Sequence, residues 1–323
     1  MATVRDSFHK VVRVSDAVSV DVDTGSGDIV IQRGTVGTVD VTSSFQVRAA
    51  SEDEARKIAA KIKDNPPVQV WDNVVRVGDL EEHGRGWLGC WQAFWGPQVT
   101  MDFVISVPAD ARVALDSGSG DQRVKGIKGP VEADTGSGDI EVEEIETDVE
   151  ADTGSGKITA VGVRGDIDAD TGSGDVVVAN IGGSANIETG GGNVRATQVR
   201  GDVSADTGSG NVVLEEIAGR IDADTGSGQI EVVSAIGDGM KWVLDTGSGN
   251  VHLKLPRDAR FELQADTGSG RIVIDGFEIA FAGEVERDRV VGRVGRDPTA
   301  KIHVDTSSGN IRIGCPPVNS NRM

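Results

Sequence analysis

A five-residue motif, Asp-Thr-Gly-Ser-Gly, recurs along this chain at a nearly constant spacing. Eleven copies or close variants are present, and nine of them follow one another at intervals of 18 residues six times and then 21 residues twice. Such a period is typical of a solenoid, in which single coils cannot bury a core and must stack on their neighbours. The nine copies begin at Asp116, Asp134, Asp152, Asp170, Glu188, Asp206, Asp224, Asp245 and Asp266.

Each repeat contains two short segments of alternating polarity joined by the Gly-Ser-Gly bend. In the repeat that starts at Val131, Val131 and Ala133 lie on one face of the first segment, and Ile140 and Val142 repeat the pattern in the second. Alternation of this kind predicts two half-buried strands per coil. A third apolar position, Ile145, lies near the second corner. The pattern predicts an all-β fold, a parallel β-solenoid of about 18 residues per coil, and leaves open whether its cross-section is a two-sheet roll or a triangle.

The sequence divides into three parts. Residues 1–110 are predicted to form an N-terminal cap with a strand pair, which contains Asp23–Gly27, and one short α-helix opened by the capping box Ser51–Glu54. Residues 111–275 are the regular β-solenoid. Residues 276–323 are predicted to be an insertion followed by a closing coil at Ile302–Ile313.

Composition limits the partners. The net charge of -20 and the pI near 4.6 argue against nucleic acid, because phosphate binding needs clustered Lys and Arg. No apolar run approaches the ~20 residues of a membrane-spanning helix, and Met1–Lys10 lacks the apolar core of a secretory signal. We therefore expect either a cytoplasmic protein or one whose leader has been removed.

Several motifs together resemble one bacterial family. They are Phe8 near the start, the helix after the first strands, Val107-Pro108, the Gly-Ser-Gly-Asp coils, and the Thr-Ser-Ser-Gly-Asn-Ile string that begins at Thr306. Their combination resembles the bacterial putative-adhesin β-strand-repeat domains, a family of unknown function, over essentially the whole chain. The resemblance implies an extracytoplasmic protein of the cell envelope or a secreted one, and it supplies no catalytic residues.

The leading aspartates are interpreted as structural caps of their own turns. Each carboxylate is expected to accept hydrogen bonds from the Gly and Ser amides that follow it. Such charge-assisted bonds, worth about 1.5–3 kcal/mol, would outweigh a repulsion of about 1 kcal/mol between neighbouring carboxylates. The predicted turn caps are Asp116, Asp134, Asp152, Asp170, Asp206, Asp224, Asp245 and Asp266.

Calcium is a weaker alternative for the same carboxylates. Aligned oxygens at ~4.8 Å suit Ca²⁺, which takes six to eight oxygen ligands. The residue after the last glycine varies, however, and Lys157 and Arg271 would spoil a repeated site. The sequence predicts no resident cofactor, and the calcium candidates are Asp134, Asp139, Asp152, Asp170 and Asp175.

One aromatic cluster is the candidate partner-binding site. In a chain that is only 4% aromatic, Trp87, Trp91, Phe94 and Trp95 lie within nine residues, flanked by glycines. The cluster predicts either a loop folded over an open end of the solenoid or an exposed anchor for a partner or a lipid interface.

Two enzyme classes are considered and set aside. Asp-Thr-Gly-Ser also occurs in aspartic proteases, which need only two converging copies, whereas here the motif is periodic. Polysaccharide-cleaving β-helices build clefts from long irregular turns. In this chain that role could fall only to residues 276–300, with Glu284, Glu286, Arg287, Asp288 and Arg289. No catalytic residue is predicted.

The sequence therefore predicts a non-catalytic surface or envelope β-solenoid that acts as an adhesive, binding or structural module. Its expected partner is a protein or a glycan. The alternative is a self-assembling filament or scaffold subunit that stacks end to end, since uncapped solenoid ends can pair.

Overall fold

The computed structural model describes residues 1–15, 17–78, 81–82, 85–86, 97–281 and 286–315, with backbone only for 81–82 and 85–86. The chain divides into two compact units, Met1–Thr159 (unit 1) and Ala160–Met323 (unit 2).

The described part of unit 1 contains one helix and fourteen complete strands. Strand β15 (Ile158–Val163) contains the boundary between the units. The elements of unit 1 are α1 (Glu52–Asp64), β1 (Ala2–Arg13), β2 (Ser19–Thr24), β3 (Ile29–Arg33), β4 (Thr38–Ala49), β5 (Val68–Trp71), β6 (Val74–Gly78), β7 (Glu81–Glu82), β8 (Arg85–Gly86), β9 (Gln98–Val107), β10 (Arg112–Ser117), β11 (Gln122–Lys125), β12 (Val131–Thr135), β13 (Ile140–Ile145) and β14 (Val149–Thr153).

In the residues that the structure describes, unit 2 is built from strands alone. They are β16 (Ile167–Thr171), β17 (Val176–Ile181), β18 (Ala185–Thr189), β19 (Val194–Val199), β20 (Val203–Thr207), β21 (Val212–Ile217), β22 (Ile221–Thr225), β23 (Ile230–Val233), β24 (Lys241–Thr246), β25 (Val251–Lys254), β26 (Phe261–Thr267), β27 (Ile272–Ile274), β28 (Ile279–Phe281), β29 (Arg289–Val294), β30 (Lys301–Thr306) and β31 (Ile311–Gly314).

Each regular coil contributes one strand to each of two sheets. In unit 2, β16, β18, β20, β22 and β24 pair in parallel in one sheet, and β17, β19, β21, β23 and β25 pair in the other. The register keeps equivalent residues opposite each other, for example Val203 opposite Ile221. The predicted parallel β-solenoid is confirmed, and its strands form two sheets rather than three.

The core is a stack of aliphatic ladders between the two sheets. Val203, Ala205, Val212 and Leu214 of one coil are all at most 2% exposed, as the alternation predicts. The third apolar position is buried too, since Ile217 is 1% exposed. Burying an aliphatic side chain contributes about 1.5–3 kcal/mol, so every added coil stabilises its neighbours through the same positions.

A left-handed residue precedes that third position. The equivalent residues are Gly126, Glu144, Gly162, Asn180, Gln198 and Glu216, with φ between 56° and 75°. Non-glycine residues rarely adopt this conformation. The kink turns the side chain of the following residue into the core, which explains an apolar position that simple alternation does not account for.

The N-terminal part of unit 1 extends both sheets. Strands β2 and β3 pair in parallel with β10 and β11, so they form a coil, as the copy at Asp23 predicts. Strand β9 pairs in parallel with β3, and β4 and β1 follow in antiparallel pairing. Helix α1 begins where predicted, since the amide of Glu54 donates to the Ser51 hydroxyl at 3.3 Å. Its buried face contacts β1 and β4.

The C-terminal coil is not the last coil of unit 2, which corrects the sequence prediction. Strand β30 pairs with β24 on one side and β26 on the other, and β31 lies between β25 and β27. The coil at residues 301–314 is thus inserted between two coils that precede it in sequence. Antiparallel pairing of β26 with β29 reverses the chain after β27, and this reversal lets the final segment enter the gap.

The fifth and last position of the motif must be glycine because neighbouring coils approach closely there. A Cβ atom on Gly192 would overlap the carbonyl oxygen of Gly174 in the neighbouring coil, whereas a Cβ atom on Gly191 would meet nothing within 4 Å. We expect Gly192→Ala to destabilise the protein by about 1–3 kcal/mol, because the coils would have to separate. The matched control Gly191→Ala should stay within about 0.5 kcal/mol of the parent.

Urea denaturation followed by circular dichroism measures both variants. Equal midpoints for the two variants would show that coil spacing does not depend on this glycine.

Candidate functional site

The leading acidic residues of the motif form a column on the outer face of one sheet in each unit. In unit 1, Asp23, Asp116, Asp134 and Asp152 lie opposite one another in register. In unit 2 the column contains Asp170, Glu188, Asp206, Asp224, Asp245, Asp305 and Asp266 in that spatial order. Strand spacing places neighbouring members about 4.8 Å apart. Like charges therefore accumulate along one face.

This column raises the pKa of some of its carboxyls. Partial burial, followed by repulsion from Asp152 and Asp116, raises the pKa of Asp134 above its ordinary value. Burial and the carboxylates of Asp245 and Asp206 do the same for Asp224. The pKa of Asp245 is raised by burial and by Asp305, against a smaller opposite effect of His303. These shifts mean that stacking costs free energy when the carboxyls are ionised.

The turns themselves are capped by threonine, which corrects the role given to the leading aspartate. In the coil of β20, the amide of Gly210 donates to the Thr207 hydroxyl at 3.1 Å, and that hydroxyl donates to the carbonyl of Gly192 at 2.9 Å. The amide of Gly208 donates to the carbonyl of Thr189 in the neighbouring coil. The glycine amides are therefore used by threonine and by the adjacent coil, because stacked coils bring those acceptors within reach.

In each unit, the threonines form a buried column that repeats this arrangement. Each hydroxyl donates to the carbonyl of a turn glycine in the adjacent coil, at distances from 2.8 to 3.3 Å. The members are Thr135, Thr153, Thr189, Thr207, Thr225, Thr246, Thr306 and Thr267. They are at most 5% exposed. One side chain thus closes its own turn and ties it to the next.

The residue after the last glycine forms another column, the post-turn column. Oδ1 of Asp139 accepts the amide of Lys157 at 2.8 Å, and Oδ1 of Asp175 accepts the amide of Asn193 at 2.7 Å. The same contact joins Asn193 to Asn211 and Asn211 to Gln229. The required side chain is a carbonyl or carboxylate acceptor. The backbone amides of Lys157 and Gln229 donate to the preceding member of this column, so the side chains of these two residues need not be acidic.

The calcium candidates belong to two different columns. Asp134, Asp152 and Asp170 lead the motif, whereas Asp139 and Asp175 follow it and accept backbone amides of the next coil. Among the described residues, no group of three or more His, Cys, Asp or Glu side chains has an arrangement that could hold a metal ion.

The predicted partner-binding residues, Trp87, Trp91, Phe94 and Trp95, lie outside the described residues, as does Glu284 of the acidic and basic cluster. Asp288 and Arg289 of that cluster line a cleft of about 400 Å³ beside the aspartate column. Arg289 forms an ion pair with Asp266 at 3.4 Å.

A larger cleft in unit 2 has a volume of about 930 Å³. It is lined by residues of three segments, 257–260, 276–280 and 293–298. Sequence reasoning selected only part of it, within the interruption at 276–300. Another part of the cleft could have been found from residues 255–263, which resemble residues 107–115 and interrupt the repeat. Residues 255–260 form the loop between β25 and β26.

Comparison with known proteins supports the fold. Residues 163–314 match the family model of the Toastrack DUF4097 domain. The Toastrack fold is a β-solenoid, in agreement with the parallel coils of this region. The match supports the predicted resemblance to a domain family of unknown function, and the matched residues include those that line the larger cleft. Among curated proteins, none matches this chain.

Two solved structures align with the chain at low identity. A putative cell adhesion protein from Clostridium sporogenes aligns over 95% of this chain and 99% of its own, with 10% identity and a TM-score of 0.19. A putative adhesin from Bacteroides fragilis aligns over 95% and 97%, with 15% identity and a TM-score of 0.35.

The threonine column predicts a sharp difference between two substitutions. Thr207→Val keeps the shape of the side chain but leaves the amide of Gly210 and the carbonyl of Gly192 without their partner. We expect a loss of about 1–3 kcal/mol for each buried group left unpaired. Thr207→Ser keeps the hydroxyl and should cost much less. The urea midpoints of the two variants measure this difference, and similar losses would refute the bonding role of the hydroxyl.

The aspartate column predicts a pH dependence. Because the folded-state pKa of Asp224 is raised, the folded protein binds this proton more readily than the unfolded chain does. The contribution of Asp224 to stability therefore improves as pH falls through its folded pKa toward the unfolded value of about 3.9. We expect Asp224→Asn to raise the melting temperature at pH 7.5.

The same Asp224→Asn variant at pH 4 is the control, because a larger fraction of the parent carboxyl is protonated there than at pH 7.5 and the gain should shrink. Melting curves from calorimetry at both pH values test this. A gain that is equal at both pH values would contradict the role of ionisation.

Proposed function

We propose that this chain is a non-catalytic, adhesin-like β-solenoid that acts as a binding module at the cell surface or envelope. The observation that supports the proposal is that the regular coils and the irregular loops of unit 2 have different roles. The regular coils use their polar turn residues to hold one another, while the irregular loops enclose a cleft.

The regular coils support the role of a scaffold. A regular turn makes one bond through its threonine and another through its post-turn residue to the adjacent coil, as at Thr207 and Asn211. Bonds of these two kinds recur along the coils and hold neighbouring coils in register. A stiff support suits a module that presents a binding surface, because little conformational entropy is lost on binding.

The cleft supports the role in binding. Its volume of about 930 Å³ falls within the range of roughly 300–1,000 Å³ that small-molecule sites occupy. It combines apolar side chains such as Phe277 and Ile279 with charged ones such as Arg257 and Arg296. Loops that depart from a regular scaffold commonly carry binding residues.

The filament alternative is less well supported. Stacking of one copy on another would need a coil edge that continues the parallel register. In unit 1, β9 is followed by the antiparallel strands β4 and β1. In unit 2, one sheet continues past β26 with the antiparallel strands β29 and β28, whereas the other sheet of the described residues ends at β27, which is parallel to β31. The antiparallel strands change the pairing pattern that a further coil would have to match.

The family resemblance supports a location and a partner class. We propose that the chain acts outside the cytoplasm and that its partner is a protein or a glycan of a surface. Within the described residues, no helix is both long enough and apolar enough to span a membrane.

The test is binding of the full chain to surfaces carrying bacterial cell-wall polysaccharide, host glycans or matrix protein, measured by surface plasmon resonance. We expect saturable binding to one of these surfaces and no increase in reducing ends in solution. Two variants locate the contact: Ala259→Trp fills the cleft, and Trp91→Ala removes an aromatic residue of the predicted partner-binding cluster. We expect at least one of them to reduce binding at least tenfold.

Two results would overturn the proposal. Release of saccharide fragments would make the chain an enzyme. Rods that lengthen with concentration in sedimentation velocity, together with no binding to any surface, would favour the scaffold.

A further inference from the structure

Three residues that line the larger cleft of unit 2 have a left-handed backbone conformation. Gly276, Gly295 and Asp297 have φ values of 83°, 80° and 45°. A Cβ atom on Gly295 would come within 2.6 Å of Cγ of Arg260, so a glycine at this position lets the arginine side chain lie across the loop.

The rim of the cleft carries four arginines in a chain whose net charge is -20. Arg260 pairs with Asp238 at 3.1 Å, and Arg293 pairs with Glu262 at 3.1 Å. In the part of the chain that the structure describes, Arg257 and Arg296 form no ion pair, and both are exposed. A guanidinium group offers a planar pair of donors that matches a carboxylate. Two cationic groups are thus available to a ligand.

Three acidic residues share the same rim. Asp258, Glu278 and Asp297 also line the cleft and are exposed. Ionised carboxylates act only as acceptors, so they suit ligand hydroxyl groups. They would repel a ligand with many negative charges, as the net charge of the chain also does. The rim therefore favours a ligand that combines one acidic group with several hydroxyls.

The floor of the cleft contains an aromatic ring with a fixed orientation. Phe277 is half-buried, and its ring meets that of Phe261 edge to face, with centroids 5.6 Å apart and an interplanar angle of 82°. Phe261 is fully buried and cannot shift easily. Ile279 and Pro298 extend this apolar lining. A rigid aromatic ring offers a surface for the apolar face of a flat or cyclic ligand.

From these features we infer that the cleft of residues 257–298 binds a sugar acid, that is, a saccharide unit with a single carboxylate. Arg257 and Arg296 bind the carboxylate, the three acidic residues accept hydrogen bonds from the hydroxyl groups of the sugar, and Phe277 supports the ring. The inference rests on the proposed function and specifies the ligand of the same module.

The experiment compares methyl β-D-glucuronide with methyl β-D-glucoside, which differ in one carboxylate. Saturation-transfer NMR with the full chain, at ligand concentrations of up to about 10 mM, detects complexes with dissociation constants of up to about 10 mM. We expect binding of the glucuronide to be at least tenfold tighter than that of the glucoside, because a charge-assisted hydrogen bond contributes more than about 1.4 kcal/mol.

Four variants assign the contacts. Arg257→Gln and Arg296→Gln break no ion pair and should each weaken glucuronide binding several-fold while leaving glucoside binding unchanged. Phe277→Leu should weaken both ligands. Arg195→Gln, which removes an arginine paired with Glu215 on a strand of the same unit, is the matched control and should change neither.

Several outcomes would overturn the inference. These are no transfer to the glucuronide, equal affinity for the two sugars, or unchanged affinity in the Arg257→Gln and Arg296→Gln variants with a native circular dichroism spectrum. Tighter binding of a Glu-Glu-Glu tripeptide than of the glucuronide would also reject it, in favour of an acidic peptide. If the full chain binds a surface while Arg257→Gln and Arg296→Gln bind it equally well, the proposed function stands and only this inference fails.

Discussion

The hydroxyl of one threonine per coil is the contact on which the rest of this structure depends. It accepts the amide of its own turn and donates to a carbonyl of the adjacent coil, as Thr207 does with Gly210 and Gly192. Both partners are backbone groups at a buried corner, where an unpaired donor or acceptor costs about 1–3 kcal/mol. The same atom thus fixes the bend and the spacing between coils. The glycine three residues later completes the arrangement, because any Cβ atom there would push the coils apart.

Stacking has an electrostatic cost that the fold accepts. Register places the leading carboxyls of successive coils in one column in each unit, where partial burial and then repulsion between neighbours raise the pKa values of Asp134, Asp224 and Asp245. The post-turn column uses the same alignment to advantage, because its oxygens meet backbone amides rather than one another. The two columns differ in what faces the carboxylate, and this difference decides whether the repeat is stabilised or destabilised by it. The loops of the larger cleft lie outside these columns, so their side chains are not aligned with equivalent residues of neighbouring coils.

Much of the fold could be predicted from the sequence because repetition makes local signals reinforce one another. The 18-residue period, the alternation at Val203 and Ala205, and the capping box at Ser51 each predicted features that the structure confirms. The candidate site was harder to predict from the sequence. Periodicity drew attention to the leading aspartate, although the next residue makes the capping bonds. From the sequence alone, a threonine at an inward-facing position is expected to be a small core residue. Its bonds to backbone groups are evident only in the structure. The cleft residues are far apart in sequence, and only folding brings Arg257, Phe277 and Arg296 together.

The spatial order of the coils could not be predicted from the sequence. Asp224 and Asp245 are 21 residues apart and lie in adjacent coils, yet Asp245 and Asp266 have the same spacing and are separated by the coil of Asp305. The sequence by itself determined the coil, its two strands and its buried faces, because those depend on interactions within one repeat and its copies. Only the tertiary structure decided which copies are neighbours. Every coil presents nearly the same edge, so the choice depends on how the chain reverses through β29 before its final segment finds a gap.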